Sequence, residues 1–176
     1  MKFEIPFDKD IYDEQMKLQF DKVWSKGFNK NKSTLYIAIP IFAVGVLAVY
    51  GKGNVGYVFI ILGLFYLYKY YEYYQHYKNN KKRYFSESEI YANEQSEIKD
   101  ISIFEFNDSY LRYKNYKLDF KLNWSLFTGF EIIKDNVFIK TKNVNHVYIL
   151  GKSEIGSPEF NNVIEFLKSK MEETSA

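Results

Sequence analysis

The chain of 176 residues contains no cysteine. That excludes disulfides, thiol nucleophiles and thiolate metal sites. Arginine occurs only at Arg83 and Arg112, so the planar forks that clamp phosphate in pairs of hydrogen bonds are nearly missing. The net charge of +2 is too close to neutral for a nucleic-acid footprint, and no nucleic-acid partner is expected. Histidine occurs only at His76 and His146. Neither has a carboxylate or a second histidine at ligand spacing, so no metal site is expected. Glycine never forms a phosphate-cradling loop; Gly51 and Gly53 lie in a short linker between apolar runs. Ser125 and Ser153 lack a nucleophile elbow. These absences point to no catalytic residue, no cofactor and no enzyme.

Acidic, basic and amide side chains are also missing from two long stretches, residues 34–50 and 55–68. Only Gly51, Lys52, Gly53 and Asn54 separate them. So short a linker requires two antiparallel helices. About 17 residues at ~1.5 Å each cover ~25 Å, slightly less than the ~30 Å hydrocarbon core of a bilayer. Flanking lysines and tyrosines can make up the difference by reaching toward the headgroups. The alternatives are a buried soluble hairpin or a signal peptide. The first run follows a charged segment of some thirty residues, unlike a signal peptide, and a soluble domain of this size has no need of two uniformly apolar helices. A membrane hairpin is the expectation. Lys22, Lys26, Lys30 and Lys32 precede it, and Lys78, Lys81, Lys82 and Arg83 follow it. The linker holds only Lys52, so the positive-inside rule places both termini in the cytoplasm.

Ala38 and Gly45 lie seven apart in the first run, as do Gly56 and Gly63 in the second. Each pair shares one helix face, where backbones can approach closely. Pro40 falls inside the first helix, where it either kinks the helix or opens its first turn. No ionisable residue stands mid-membrane, which argues against a proton relay or ion path. Tyrosines crowd the end of the second run. Tyr70, Tyr71, Tyr73, Tyr74 and Tyr77 form a collar on all sides of the helix. Such a collar suits the headgroup level as an aromatic belt, and it also suits a partner-binding platform.

Four segments follow from these patterns. Residues 1–32 are expected to form an N-terminal amphipathic cytoplasmic helix, capped by Asp8 or Asp10 and ended by Gly27. Its apolar face is Tyr12, Met16, Phe20, Val23 and Trp24. That face packs on the cytoplasmic domain or lies on the inner leaflet; the mixed charge of the opposite face favours packing. Residues 33–78 form the two-helix transmembrane hairpin. Residues 79–100 form a juxtamembrane connector, first helical and then a linker. Residues 101–176 form a strand-rich domain. Leu118, Phe120 and Leu122 alternate with Lys117, Asp119 and Lys121, and Val137, Ile139 and Thr141 alternate with Phe138, Lys140 and Lys142. Further strands are read at 101–106, 110–114, 130–134 and 146–150, with turns at Asn107-Asp108, Asn115-Tyr116 and Asp135-Asn136. Ser157 and Pro158 open a last helix whose apolar positions are Phe160, Val163, Ile164, Leu167 and Met171. Trp124, Leu118, Phe120, Ile132 and Leu167 are expected to be buried together. The fold class is thus a membrane α-helical hairpin plus an α+β domain, an antiparallel meander closed by a C-terminal helix.

The same elements make up a pleckstrin-homology-like (PH-like) half barrel. Leu122-Asn123-Trp124-Ser125, Gly129-Phe130-Glu131-Ile132-Ile133, Asp135-Asn136-Val137-Phe138-Ile139 and His146-Val147-Tyr148-Ile149-Leu150 resemble the matching stretches of the YcxB-like bacterial membrane proteins. That family pairs a two-helix hairpin with a small strand-rich C-terminal domain. Here Leu126-Phe127 departs from its usual pattern after Trp124-Ser125, and Leu150-Gly151-Lys152 stands where a Pro-Lys exit is usual. The resemblance implies fold, topology and a bacterial inner membrane. It supplies no active site.

Two functions are expected from this reading. One is an interaction module without catalytic activity that binds a protein partner at or near the lipid bilayer, as an immunity protein against a membrane-acting toxin would. The alternative is a membrane-anchored sensor of a lipid or small ligand. The candidate contacts are Tyr70, Tyr71, Tyr73, Tyr74 and Tyr77.

Overall fold

A computed structural model describes residues 1–142 and 147–175. In chain order the elements are β1 (Lys2–Pro6), α1 (Lys9–Tyr50), α2 (Gly56–Ile98), β2 (Ile101–Phe106), β3 (Tyr110–Lys114), β4 (Asp119–Asn123), a 3-10 turn (Trp124–Leu126), β5 (Phe127–Ile133), β6 (Asn136–Thr141), β7 (Val147–Gly151), α3 (Lys152–Ile155) and α4 (Ser157–Ser175). The fold is α+β with antiparallel sheets. The chain divides into two compact units. One is Met1–Met16 with Glu89–Ala176, and the other is Lys17–Ser88.

In the helical unit the two helices run antiparallel along a seam of small residues, as the seven-residue spacings predict. Ala38 is fully buried. A Cβ on Gly63 would stand 2.7 Å from that of Phe42. Below this seam the contacts become aromatic. Phe20 is buried among the rings of Trp24, Tyr77, Tyr84 and Phe85, with centroids 5.4–5.9 Å away. The Tyr84 hydroxyl donates to Gln19 Oε1 at 3.1 Å, and burial pushes its phenol up to about 12.

Two helix ends differ from expectation. Asp8 caps α1, its Oδ1 accepting from the backbone N–H groups of Asp10 and Ile11. Gly27, however, does not end the helix, which runs unbroken to Tyr50. A mid-helix glycine costs about 1 kcal/mol, but here the Tyr73 hydroxyl occupies the place of a side chain. Asn31 Nδ2 donates to the Tyr70 carbonyl at 3.3 Å one turn further on. Residues 28–33, beyond the expected stop, are therefore helical. The connector 79–100, expected to be first helical and then a linker, is helical to Ile98. Lys99 then turns left-handed at φ 52, and the Asp100 N–H closes the helix on the Gln95 carbonyl at 3.2 Å.

The strand unit holds a four-stranded sheet, β1-β2-β3-β4, and a three-stranded sheet, β5-β6-β7. Its core gathers Phe104, Phe106 and Leu111 from the first sheet and Phe127, Val137, Ile139 and Leu150 from the second. Phe160, Val163 and Leu167 of α4 complete it. Trp124 lies in this core, and its indole N–H donates to the Asn107 carbonyl at 2.8 Å. Gly129, at φ 141, allows the bulge that interrupts the pairing of β5 with β6.

Strand β1 is absent from the sequence reading. Phe3 and Ile5 face inward and Lys2 and Glu4 outward, a two-residue alternation too short to register. Its partner β2 lies about a hundred residues later, pairing Lys2 with Glu105 and Pro6 with Ile101. Three of the five expected core residues also stand in water. Leu118, Phe120 and Ile132 are 42%, 40% and 46% exposed, while Trp124 and Leu167 are buried. Phe120 and Ile132 have the correct parity, since they pair with Tyr113 and Val137. They are exposed because β4 and β5 are edge strands with a neighbour on one side only. The tight turn falls on Lys134-Asp135, one residue earlier than read, with Lys134 left-handed at φ 52. His146 lies outside the described residues.

Candidate functional site

The tyrosine collar divides in two. Tyr77 packs against α1: its ring stacks on Phe28 at 4.5 Å and meets Trp24 at 6.1 Å. Tyr73 places its hydroxyl against Gly27. These two tyrosines hold the helix pair together. Tyr70 is half-buried and stacks with Tyr74 at 6.3 Å. Tyr71 and Tyr74 are 57% and 39% exposed. Periodicity alone does not separate these roles, because a collar on every side of a helix must send some rings toward its neighbour.

Above the collar the helix pair is apolar outside as well as inside. Ile37, Ile39, Leu47, Ile61, Leu64 and Phe65 are all more than half exposed. Among the described residues one helical stretch, Gly27–Tyr50, is long and apolar enough to cross a membrane, and only 11% of its apolar window is buried. The facing run in α2 falls short of that measure because Tyr66, Tyr68, Lys69 and Glu72 interrupt it early.

The strand unit contains a cleft of about 230 Å³. The start of α1, residues 89–98 of α2, strands β1 to β4 and β7, and Glu154 of α3 supply its walls. Its lining combines aliphatic side chains with rings from Tyr12, Tyr91, Phe104, Tyr113, Phe120 and Tyr148. Leu118 and Phe120 also line it. Tyr12 and Tyr91 meet at 5.7 Å, and Tyr113 and Tyr148 at 5.4 Å.

Two buried polar networks fix these walls. Gln15 Nε2 donates to Asn136 Oδ1 at 3.2 Å and to Glu154 Oε2 at 2.7 Å. The same Glu154 oxygen accepts from the Gly151 backbone N–H. A side chain at position 151 would collide with this group, since its Cβ would lie 2.9 Å from Glu154 Oε2 and 3.0 Å from Asn136 Oδ1. Burial holds the Glu154 carboxyl above its usual range, against the hydrogen bonds from Gly151 and Gln15. On the opposite side Asn115 is buried. Its Nδ2 donates to the hydroxyls of Tyr91 and Tyr113 at 2.6 and 3.2 Å, and its Oδ1 accepts from the backbone of Lys117 and Leu118. Burial raises the Tyr91 phenol well above its ordinary value.

Charges on the outer surface pair with one another. Arg112 meets Asp119 through two 2.8 Å hydrogen bonds, which raise the guanidinium and lower the carboxyl. Lys117 pairs with Glu94. Among the described residues no three Asp, Glu or His side chains converge on a cation site. The sequence reading names Tyr12 for its helix face and Tyr110–Lys114 as a strand, but it does not assemble a cleft. The residue types that could have signalled one are Gln15, an amide beside an apolar helix face, and Tyr148, a phenol inside an apolar strand.

No protein-family model matches the chain, and the searches for similar curated proteins and for similar solved structures return no match.

Proposed function

We propose that this chain is a membrane-anchored binding protein that acts without chemistry of its own. Gly27–Tyr50 and the start of α2 lie in a bilayer as a hairpin, and the strand unit serves as the binding module. The observation that carries this reading is the exposed apolar band on a helix pair whose small-residue seam is already closed. Side chains such as Ile37, Leu47, Ile61 and Phe65 face outward. A continuous apolar surface of this kind marks a membrane or a protein interface rather than a face meant for water. The lysines that flank the pair, with Lys52 alone in the linker, orient both termini toward the cytoplasm under the positive-inside rule.

Four strands, three strands and a closing helix are the element set of a PH-like half barrel, and the YcxB-like resemblance of residues 122–150 favours the same assignment. On this reading the partner is a protein met at the bacterial inner membrane, with Tyr71 and Tyr74 as the exposed part of the collar. An immunity protein facing a membrane-acting toxin is one such case.

The test is extraction and labelling. The full chain should stay in the pellet after alkaline carbonate washing and enter detergent. A lone cysteine at Lys52→Cys should react with an impermeant maleimide on intact spheroplasts, and one at Ser175→Cys only after lysis. Release by carbonate would overturn membrane insertion. Labelling of position 52 only after lysis would reverse the orientation.

A further inference from the structure

The cleft of the strand unit has a consistent chemical character. Its rings are electron-rich, four of them phenols. Its two charged wall residues are both acids, Asp8 and Glu154. Among the described residues that line it, none is Lys, Arg or His. Lys117 lies over the Tyr91 ring at 5.5 Å, but it is ion-paired with Glu94 and is not part of the cleft wall.

An anion would meet two acids and no basic side chain among the described lining residues. A neutral apolar ligand would leave the half-buried Glu154 carboxylate without a countercharge, which is costly. A cation satisfies both features, because aromatic faces attract it through their quadrupoles and the carboxylate neutralises it. One group opposes it. The N-terminus of α1 lies at the cleft and carries about half a positive charge. Asp8 offsets this, because its full negative charge caps that terminus with hydrogen bonds of 2.9 and 3.1 Å.

We propose that the cleft binds a small organic ammonium ion, a protonated amine or a quaternary ammonium, with Glu154 as counterion and the surrounding rings as its cage. At about 230 Å³ the cavity sits just below the usual range of ligand pockets, about 300–1,000 Å³, so the ligand is a headgroup or a small metabolite. The site lies wholly within the strand unit and does not depend on the membrane reading. An ammonium group of this kind could come from a lipid headgroup or from a free amine.

The probe is choline, set against its neutral isostere 3,3-dimethylbutan-1-ol. The full chain is purified in a maltoside detergent and titrated calorimetrically at constant ionic strength. Choline should bind saturably and raise the melting temperature, and the neutral isostere should bind about tenfold more weakly or not at all. Glu154→Gln should weaken choline binding about tenfold while leaving the isostere unaffected. That variant keeps an acceptor for the Gly151 N–H. Phe120→Leu, at an exposed edge position, should also weaken choline binding without loss of fold. Equal affinity for choline and the isostere would overturn the proposal. So would the absence of saturable binding by choline, tetramethylammonium and butylammonium throughout the millimolar range. In nanodiscs, loss of choline binding in phosphatidylcholine but not in phosphatidylglycerol assigns the ligand to a lipid headgroup. Equal choline binding in both assigns it to a soluble amine. Either result supports an ammonium site.

Discussion

Gly45 and Gly56 face each other so closely that a Cβ on Gly56 would lie 2.6 Å from the Gly45 carbonyl oxygen. A Cβ on Gly45 would lie 2.9 Å from that of Gly56. Neither contact can be relieved by turning a side chain, because both involve backbone. Gly45→Val and Gly56→Val should therefore push the helices apart. Overpacking of this kind costs about 1–3 kcal/mol. A clear fall in the detergent melting temperature of each variant is expected, larger than for Gly51→Ala in the linker, where the nearest atoms lie 3.5 Å away. Equal melting temperatures for all three would show that the seam is loose.

Glu154 and Asp119 should move stability in opposite directions with pH. The Asp119 carboxyl is lowered by its hydrogen bonds with Arg112, so its contribution is present above the ordinary aspartate range and is lost as the pH falls through the lowered value. The Glu154 carboxyl is raised by burial, with the charge of Asp8 adding to the effect. Between its ordinary and raised values the folded chain keeps a proton that the unfolded chain has released. Stability therefore falls as the pH rises through that window. At neutral pH without ligand, Glu154→Gln should be at least as stable as the wild type, and its advantage should shrink as the pH drops below the ordinary glutamate value of 4.5. Urea midpoints at the two pH values test this. A variant that is destabilised at neutral pH and restored in acid would contradict it.

Features set by neighbours in sequence were legible, and those set by distant contacts were not. Asp8 caps its own helix two and three residues on, and the spacings of Gly45 and Gly56 declare one face of each helix. Strand parity was also legible, since Val137 and Ile139 point inward as their alternation requires. Coverage was not. Ile132 has the parity of Val137 but stands at a sheet edge. Gly27 reads as a stop because its partner, the Tyr73 hydroxyl, comes forty-six residues later. Strand β1 acquires its identity only by pairing with β2. The cleft was the least legible, because its walls come from the start of α1, the end of α2 and several strands at once.

The two kinds of collar tyrosine should separate experimentally. Tyr77 stacks on Phe28 and touches Phe20 and Trp24, so Tyr77→Ala should destabilise the helical unit by about 2 kcal/mol, less than for a fully buried ring. Tyr71→Ala removes an exposed ring and should leave the melting temperature unchanged. If the collar contacts a protein, capture of that partner should fall with Tyr71→Ala and Tyr74→Ala in chains that melt normally. Unchanged capture by the double variant would remove these two faces from the interface.

Residues 101–176 should not fold as an independent domain. Without β1, the backbone of β2 becomes an open edge, and Phe104 and Phe106 lose the cover of Phe3 and Ile5. Without residues 89–100, the β3–β4 turn loses Tyr91, which accepts from Asn115, and Asp100, which accepts from the Tyr116 N–H at 3.3 Å. Exposed edges and uncovered aromatic rings favour association between chains, so the fragment should aggregate or show little near-ultraviolet circular dichroism. A fragment beginning at Glu89, mixed with a peptide of residues 1–16, should regain a cooperative melt, because the peptide supplies β1, the Asp8 cap and Gln15 for Glu154. A cooperative melt from residues 101–176 alone, with an intact aromatic signal, would show that β1 and the end of α2 are accessories to the fold rather than parts of it.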